Sequence, residues 1–133
     1  MSEQDVETVR NSYEAFNRGD IPAVLANYQP DIEWIEPGGG GNAPSGTFNG
    51  TDQVQQEVFS KVPENFGESF SVQTDEFRDE GDKVVVTGRF KGQHTSGAAL
   101  DAAFEHVAEM RDGKIARFEN KPDVEAWTKG WGG

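Results

Sequence analysis

The chain has 133 residues, with 24 Asp plus Glu against 12 Lys plus Arg, a net charge of −12 and no cysteine. That length supports one domain spanning residues 1–133 with a single core, and the missing cysteine excludes disulfides, thiolate nucleophiles and cysteine-based metal sites. The acidic balance repels polyphosphates and so argues against nucleic-acid binding. Its acids are spread through predicted helices, strands and turns rather than gathered in a tail, which fits a surface adapted to high salt and a halophilic source; the alternative is an ordinary acidic bacterial protein. The start, Met1-Ser2-Glu3-Gln4-Asp5, has neither a basic nor an apolar leader stretch. No later segment approaches the ~20 apolar residues of a membrane span. Together these predict a soluble cytoplasmic protein with no membrane partner.

Val6, Val9, Tyr13 and Phe16 fall at helical spacing, so an amphipathic helix is expected from Ser2 to Arg18, stopped by Gly19. Asp20 is placed to cap a second helix with Pro22 in its first turn; this helix should bury Ile21, Val24, Leu25 and Tyr28 and end at Pro30-Asp31. Ile32 to Glu36 alternates as a short strand with Ile32, Trp34 and Glu36 on one face. The glycine-rich segment from Gly38 to Gly46 reads as a flexible loop over the mouth of whatever that strand lines. It lacks the Gly-Lys-Ser/Thr of a phosphate loop. Thr51 or Asp52 should cap a third helix with Val54, Val58 and Val62 on one face and Phe59 beside it.

From Glu68 the chain is β-rich. Phe70 to Arg78 and Lys83 to Gln93 read as long strands, the second with an apolar row of Val84, Val86, Gly88 and Phe90. In the next arm Ala102, Phe104, His106, Ala108 and Met110 form the inner face. A three-residue loop with Gly113 in the left-handed conformation then sets Ala116, Phe118 and Asn120 on that face; a two-residue Asp112-Gly113 loop would bring Arg117 and Glu119 there instead. Burial favours the first register. Asp123 to Gly130 is expected to be a short helix whose Trp127 and Trp131, four apart, pack onto the sheet or onto a second subunit.

Helices collected in the first half and a long antiparallel sheet in the second predict an α+β fold. Three N-terminal helices covering a strongly curved, mostly antiparallel sheet, with a short C-terminal helix, leave a cone whose apolar wall suits a small molecule. Its candidate substrate-binding residues are Ser12, Tyr13, Phe16, Trp34, Phe59, Phe90, Phe104, Phe118 and Asn120. Glu36, on the Trp34 face, would be partly desolvated and raised in pKa, as a general base requires; the plainer reading is a solvated acid at a strand end. His106 is suited to act as acid, base or oxyanion donor, or is a core histidine satisfied by Asn120 or a backbone carbonyl. His94 is expected at the surface or rim. With no HxH or HExxH spacing, no metal site is expected.

Tyr13-Glu14-Ala15-Phe16-Asn17-Arg18-Gly19-Asp20, Trp34-Ile35-Glu36-Pro37, Phe104-Glu105-His106-Val107 and Arg111-Asp112-Gly113-Lys114-Ile115 with Phe118 resemble, in order and spacing, the SnoaL-like branch of the nuclear-transport-factor-2-like superfamily, which includes ketosteroid isomerases. The resemblance spans nearly the whole chain. Ketosteroid isomerases use an Asp base with a Tyr and a protonated Asp as oxyanion donors. By resemblance the base position falls on Glu36, one oxyanion position falls on Ala102, which has no acid to donate, and the tyrosine position falls at about Ser12, beside Tyr13. The steroid-isomerase set is therefore incomplete. Ala108 and Lys121 also stand where the branch commonly has tryptophan and tyrosine. What the resemblance implies is a homodimer, formed through the sheet, that binds a small, mostly apolar organic molecule. Its reaction would be cofactor-independent proton transfer next to a carbonyl, of isomerase, cyclase or lyase type, with Glu36 and His106 as catalytic residues. The alternatives are a non-catalytic ligand-binding or carrier protein using the same pocket, and a dimerisation module.

Overall fold

The structure is a computed structural model that describes residues 2–37 and 42–132; the glycine run 38–41, expected as the flexible part of a loop, lies outside the described residues. Helix α1 (Ser2–Asn17) buries Val9, Ser12, Tyr13 and Ala15 and is followed by Gly19 at φ 75°, the left-handed conformation that closes a helix. Asp20 caps α2 (Ile21–Leu25) by accepting from the Ala23 N–H at 3.2 Å. Helix α2 is shorter than its apolar spacing suggested. Tyr28 instead opens strand β1 (Tyr28–Glu36), and Pro30, read as a break, lies inside that strand where the pairing with its neighbour is irregular between Tyr28 and Glu33. An irregular stretch needs no ladder donor there, so proline is tolerated.

Strand β2 (Gly46–Asn49), hidden in the sequence behind the glycine-rich loop, pairs antiparallel with β1 and buries Phe48. The third predicted helix resolves into α3 (Thr51–Val54), a π-helical turn Gln55–Phe59 and α4 (Lys61–Phe66). Its N-cap is Gly50, with no side-chain cap, rather than Thr51 or Asp52. The helical segments before the main sheet are thus more numerous than the three expected. A π turn is wider than an α turn, and here adjacent Val58 and Phe59 are both buried.

Strands β3 (Ser71–Asp79), β4 (Lys83–Gln93), β5 (Ala99–Arg111) and β6 (Lys114–Pro122) complete a six-stranded sheet of order β2-β1-β6-β5-β4-β3. All neighbours are antiparallel except β1 and β6. His106 pairs with Asn120 and Ala108 with Phe118, the register burial favoured. The device differs. Arg111 pairs with Lys114 across a two-residue turn in which Asp112 (φ 52°) and Gly113 (φ 78°) are both left-handed, and a bulge between Glu109 and Met110 then restores the inward set. The bulge leaves Ala116 half-buried and puts Ile115 in the core.

Helix α5 (Val124–Gly130) is capped by Asp123, which accepts from the Ala126 N–H at 3.3 Å, and its Gly130 lies so close to β5 that a Cβ would stand 2.4 Å from Leu100 Cδ1. Trp127 and Trp131 are buried within this chain's own core. Charged residues cover the opposite sheet face, where Arg117 meets Glu33 at 3.2 Å and Glu109 at 3.0 Å and Arg89 meets Asp101 at 2.8 Å. No helix among the described residues is long and apolar enough to cross a membrane.

Candidate functional site

The inward residues of β1 and β5, and of β6 beyond its bulge, bring three polar side chains, Glu36, His106 and Asn120, into a largely apolar interior; each is at most 6% exposed. Buried polar groups need partners, and these find one another. Glu36 Oε2 accepts from Trp34 Nε1 at 2.6 Å and Oε1 accepts from Asn120 Nδ2 at 2.9 Å. Asn120 Oδ1 lies 3.0 Å from His106 Nε2, and His106 Nδ1 lies 2.6 Å from the Tyr13 hydroxyl, reaching in from α1.

The direction of this chain follows from its acidic end. An ionised carboxylate only accepts, so the Asn120 amide donates to it and turns its carbonyl to His106. His106 then carries its proton on Nε2 and donates to Asn120, while its bare Nδ1 accepts from Tyr13. Burial pushes the Glu36 carboxyl up to about 7, with the hydrogen bonds from Asn120 and Trp34 opposing the rise. The same burial pulls His106 down to about 3, against the bond to Asn120, and raises Tyr13 well above the ordinary phenol range. At neutral pH the imidazole is therefore uncharged and the carboxyl divides between its two forms.

A cavity of about 70 Å³ adjoins this row. Of the residues singled out from the sequence, Ser12, Tyr13, Phe16, Trp34, Glu36, Phe59, Phe90, His106, Phe118 and Asn120 all line it. Phe104 does not; it stacks flat on His106 at 3.8 Å between centroids. Gly88, its partner on β4, makes room for that ring, since a Cβ there would lie 2.8 Å from Phe104 Cζ. The Ser12 hydroxyl donates to the Val9 carbonyl at 2.6 Å within α1. His94, expected at the rim, is buried between Asn65 Oδ1 at 2.8 Å and Ser96 Oγ at 2.9 Å. The described residues hold no group of His, Cys, Asp and Glu placed to bind a metal.

Tyr28, Trp127 and Trp131 also line the cavity and were not among the expected site residues. The helical spacing of Ile21, Val24, Leu25 and Tyr28 hides the place of Tyr28 on β1, and the four-residue tryptophan spacing on α5 signals packing alone.

The SnoaL-like domain family model matches residues 9–118. An NTF2-like protein of unknown function from Burkholderia pseudomallei is 32% identical, with 98% of each chain covered and a TM-score of 0.87. TerC, crystallised with polyporic acid, is 31% identical over 98% of this chain and 99% of its own, also at a TM-score of 0.87. A protein of Mycobacterium tuberculosis is 25% identical over 86% of this chain and 85% of its own length.

Proposed function

Because the chain belongs to the SnoaL-like domain family of the NTF2-like superfamily, we propose that it binds a small, mostly apolar organic molecule in the cavity and moves a proton next to a carbonyl. The supporting observation is Glu36, a carboxyl buried in the cavity wall and raised to about 7, where it takes and returns protons with little bias near neutral pH. His106 serves as a positioning residue, since both its ring nitrogens are engaged; through Asn120 it holds the Glu36 carboxylate in place. The reaction class is isomerase, cyclase or lyase and requires no cofactor. Crystallisation of TerC with polyporic acid supports the binding part of this reading, and a carrier using the same pocket is the second reading. Homodimerisation through the sheet belongs to the proposal and is checked by sedimentation, a monomer at micromolar concentration removing it.

The probe is the isomerisation of β,γ-cyclohexenone to its conjugated isomer, followed by ultraviolet absorbance. Wild type should accelerate it over buffer, and Glu36→Gln should lose at least about a hundredfold of that rate, the usual scale of a general base. No acceleration by wild type over buffer would leave the carrier reading, and equal acceleration by the two proteins would remove Glu36 as the base.

A further inference from the structure

The hydrogen-bonded row of the site has a direction, and three of its members can reverse it. With Glu36 ionised, Tyr13 donates to His106 Nδ1, His106 Nε2 to Asn120, and Asn120 to Glu36. An imidazole carries its proton on either nitrogen, a hydroxyl both donates and accepts, and a primary amide turned end for end exchanges donor for acceptor. Trp34 is the fixed point. Its indole Nε1–H only donates and holds Glu36 Oε2 at 2.6 Å, so that oxygen stays an acceptor and a proton taken up by the carboxyl falls on Oε1. Oε1 faces the Asn120 amide nitrogen at 2.9 Å. Two donors then oppose each other in a buried pair, which leaves one unmatched. A half-turn of the Asn120 amide removes the mismatch.

We infer that a proton on Glu36 reverses the whole row, with Asn120 as the residue that turns. In the reversed direction Glu36 donates to Asn120 Oδ1, Asn120 Nδ2 donates to His106 Nε2, and His106 carries its proton on Nδ1 and donates to the Tyr13 oxygen. One proton is added, at Glu36. The imidazole gives up its Nε2 proton and takes another on Nδ1 by exchange with water, so it stays neutral. The Tyr13 hydroxyl is then released from His106, in a residue that lines the cavity.

The second histidine–asparagine pair shows what prevents such a reversal. Asn65 Oδ1 lies 2.8 Å from His94 Nε2, but Asn65 Nδ2 donates to the Lys61 carbonyl at 2.8 Å, and His94 Nδ1 accepts from the Ser96 N–H at 3.0 Å. A backbone carbonyl only accepts and a backbone N–H only donates. That pair therefore has one direction, with Nε2 protonated whenever the ring is neutral. Asn120 has no such anchor, since the groups at both its ends can exchange roles.

Among the described residues lining the cavity, the titratable groups beside Glu36 are Tyr13 on α1, Tyr28 on β1 and His106 on β5. Burial keeps both phenols protonated and the imidazole neutral. The charges of Glu33, Arg117 and Glu119 lie on the opposite sheet face. Glu36 is therefore the group whose proton selects the direction, and its value of about 7 populates both directions near neutral pH. The inference rests on the buried, titrating carboxyl of the proposed site, and not on catalysis by it.

The test is the histidine tautomer, read from ring nitrogen–proton correlation spectra of the isotopically labelled full chain, with the two histidines told apart by His94→Gln. A bare ring nitrogen resonates far from a protonated one, so each form is seen directly. At pH 5 and pH 9 one form of Glu36 outnumbers the other about a hundredfold. His106 should be neutral at both, protonated on Nε2 at pH 9 and on Nδ1 at pH 5, while His94 never shows a form protonated on Nδ1 alone. Glu36→Gln should hold His106 in the Nδ1 form at both pH values, because the new amide must give its oxygen to Trp34 and its NH2 to Asn120. Asn120→Leu should break the link, leaving a His106 tautomer that no longer follows pH. The inference is overturned if wild-type His106 keeps its proton on Nε2 at pH 5 or gains a second one, if it stays in the Nε2 form in Glu36→Gln, or if exchange persists in Asn120→Leu. Should the variants not fold, the wild-type spectra decide. A failed isomerisation assay with tautomers that exchange removes catalysis alone, and a fixed tautomer with an active enzyme removes the reversal alone.

Discussion

Glu36→Gln tests the buried carboxyl through stability as well as rate. The folded protein holds this group at about 7 against an ordinary 4.5, so between those values the folded state binds a proton that the unfolded state has released. Stability from this source is fully present below 4.5 and is lost as pH rises through 7. The gap is about 2.5 pH units, each worth about 1.4 kcal/mol, or about 3 kcal/mol in all. Glutamine does not titrate, but Trp34 and Asn120 each donate to a different carboxylate oxygen, and the NH2 that replaces one of them is itself a donor, so one buried donor left over costs about 1–3 kcal/mol at every pH. The variant should therefore be the weaker protein at pH 5 and come level with, or pass, wild type at pH 9. Urea unfolding at the two pH values measures this. With a slope of about 1–3 kcal/mol per molar urea, the difference between the two midpoints should change by roughly 1–3 M. A gap between wild type and variant that is the same at both pH values would refute the assignment of a buried, raised carboxyl.

His106 predicts the opposite slope. Its folded value of about 3 lies below the ordinary 6.5, so its contribution is complete above 6.5 and is lost as pH falls toward 3, by about 1.4 kcal/mol per pH unit. His106→Gln should flatten the acid limb of stability against pH, and parallel limbs would exclude a buried neutral imidazole. Gly88→Ala should cost about 1–3 kcal/mol, because the new Cβ would stand 2.1 Å from the Gln73 carbonyl oxygen as well as close to Phe104; an unchanged urea midpoint would show that β3 moves aside freely. Molar potassium chloride should raise the melting temperature of a chain carrying a net charge of −12 by screening self-repulsion. An unchanged melting temperature would count against a salt-adapted surface.

Much of the fold was legible where one signal acted alone. Strand β4 (Lys83–Gln93) was placed to the residue because the alternation of Val84, Val86, Gly88 and Phe90 is bounded by a turn at each end. Where two signals compete, the local one misleads. Pro30-Asp31 reads as a breaker, yet the even residues Tyr28, Ile32, Trp34 and Glu36 already form the inward row of β1. The β5–β6 hairpin shows a third case, in which burial selected the right partners although the bulge that produces them leaves no mark in a two-residue period.

The site divides along the same line. Alternation along a strand states which face a residue occupies, and on that basis Glu36, His106 and Asn120 were all assigned inward. It does not state which strand lies alongside. Asn120 reaches Glu36 because β1 and β6 are parallel neighbours with Trp34 opposite Phe118, so that two residues further on the carboxylate and the amide face each other across the sheet at 2.9 Å. Tyr13 meets His106 only because α1 crosses the same sheet face. Both contacts depend on strand order and helix placement, which belong to tertiary structure. The basicity of Glu36 is therefore set first by its burial and then opposed by bonds from Asn120, 84 positions away, and from Trp34, and removing α1's hydroxyl with Tyr13→Phe leaves His106 Nδ1 without its donor while the carboxyl keeps its own partners.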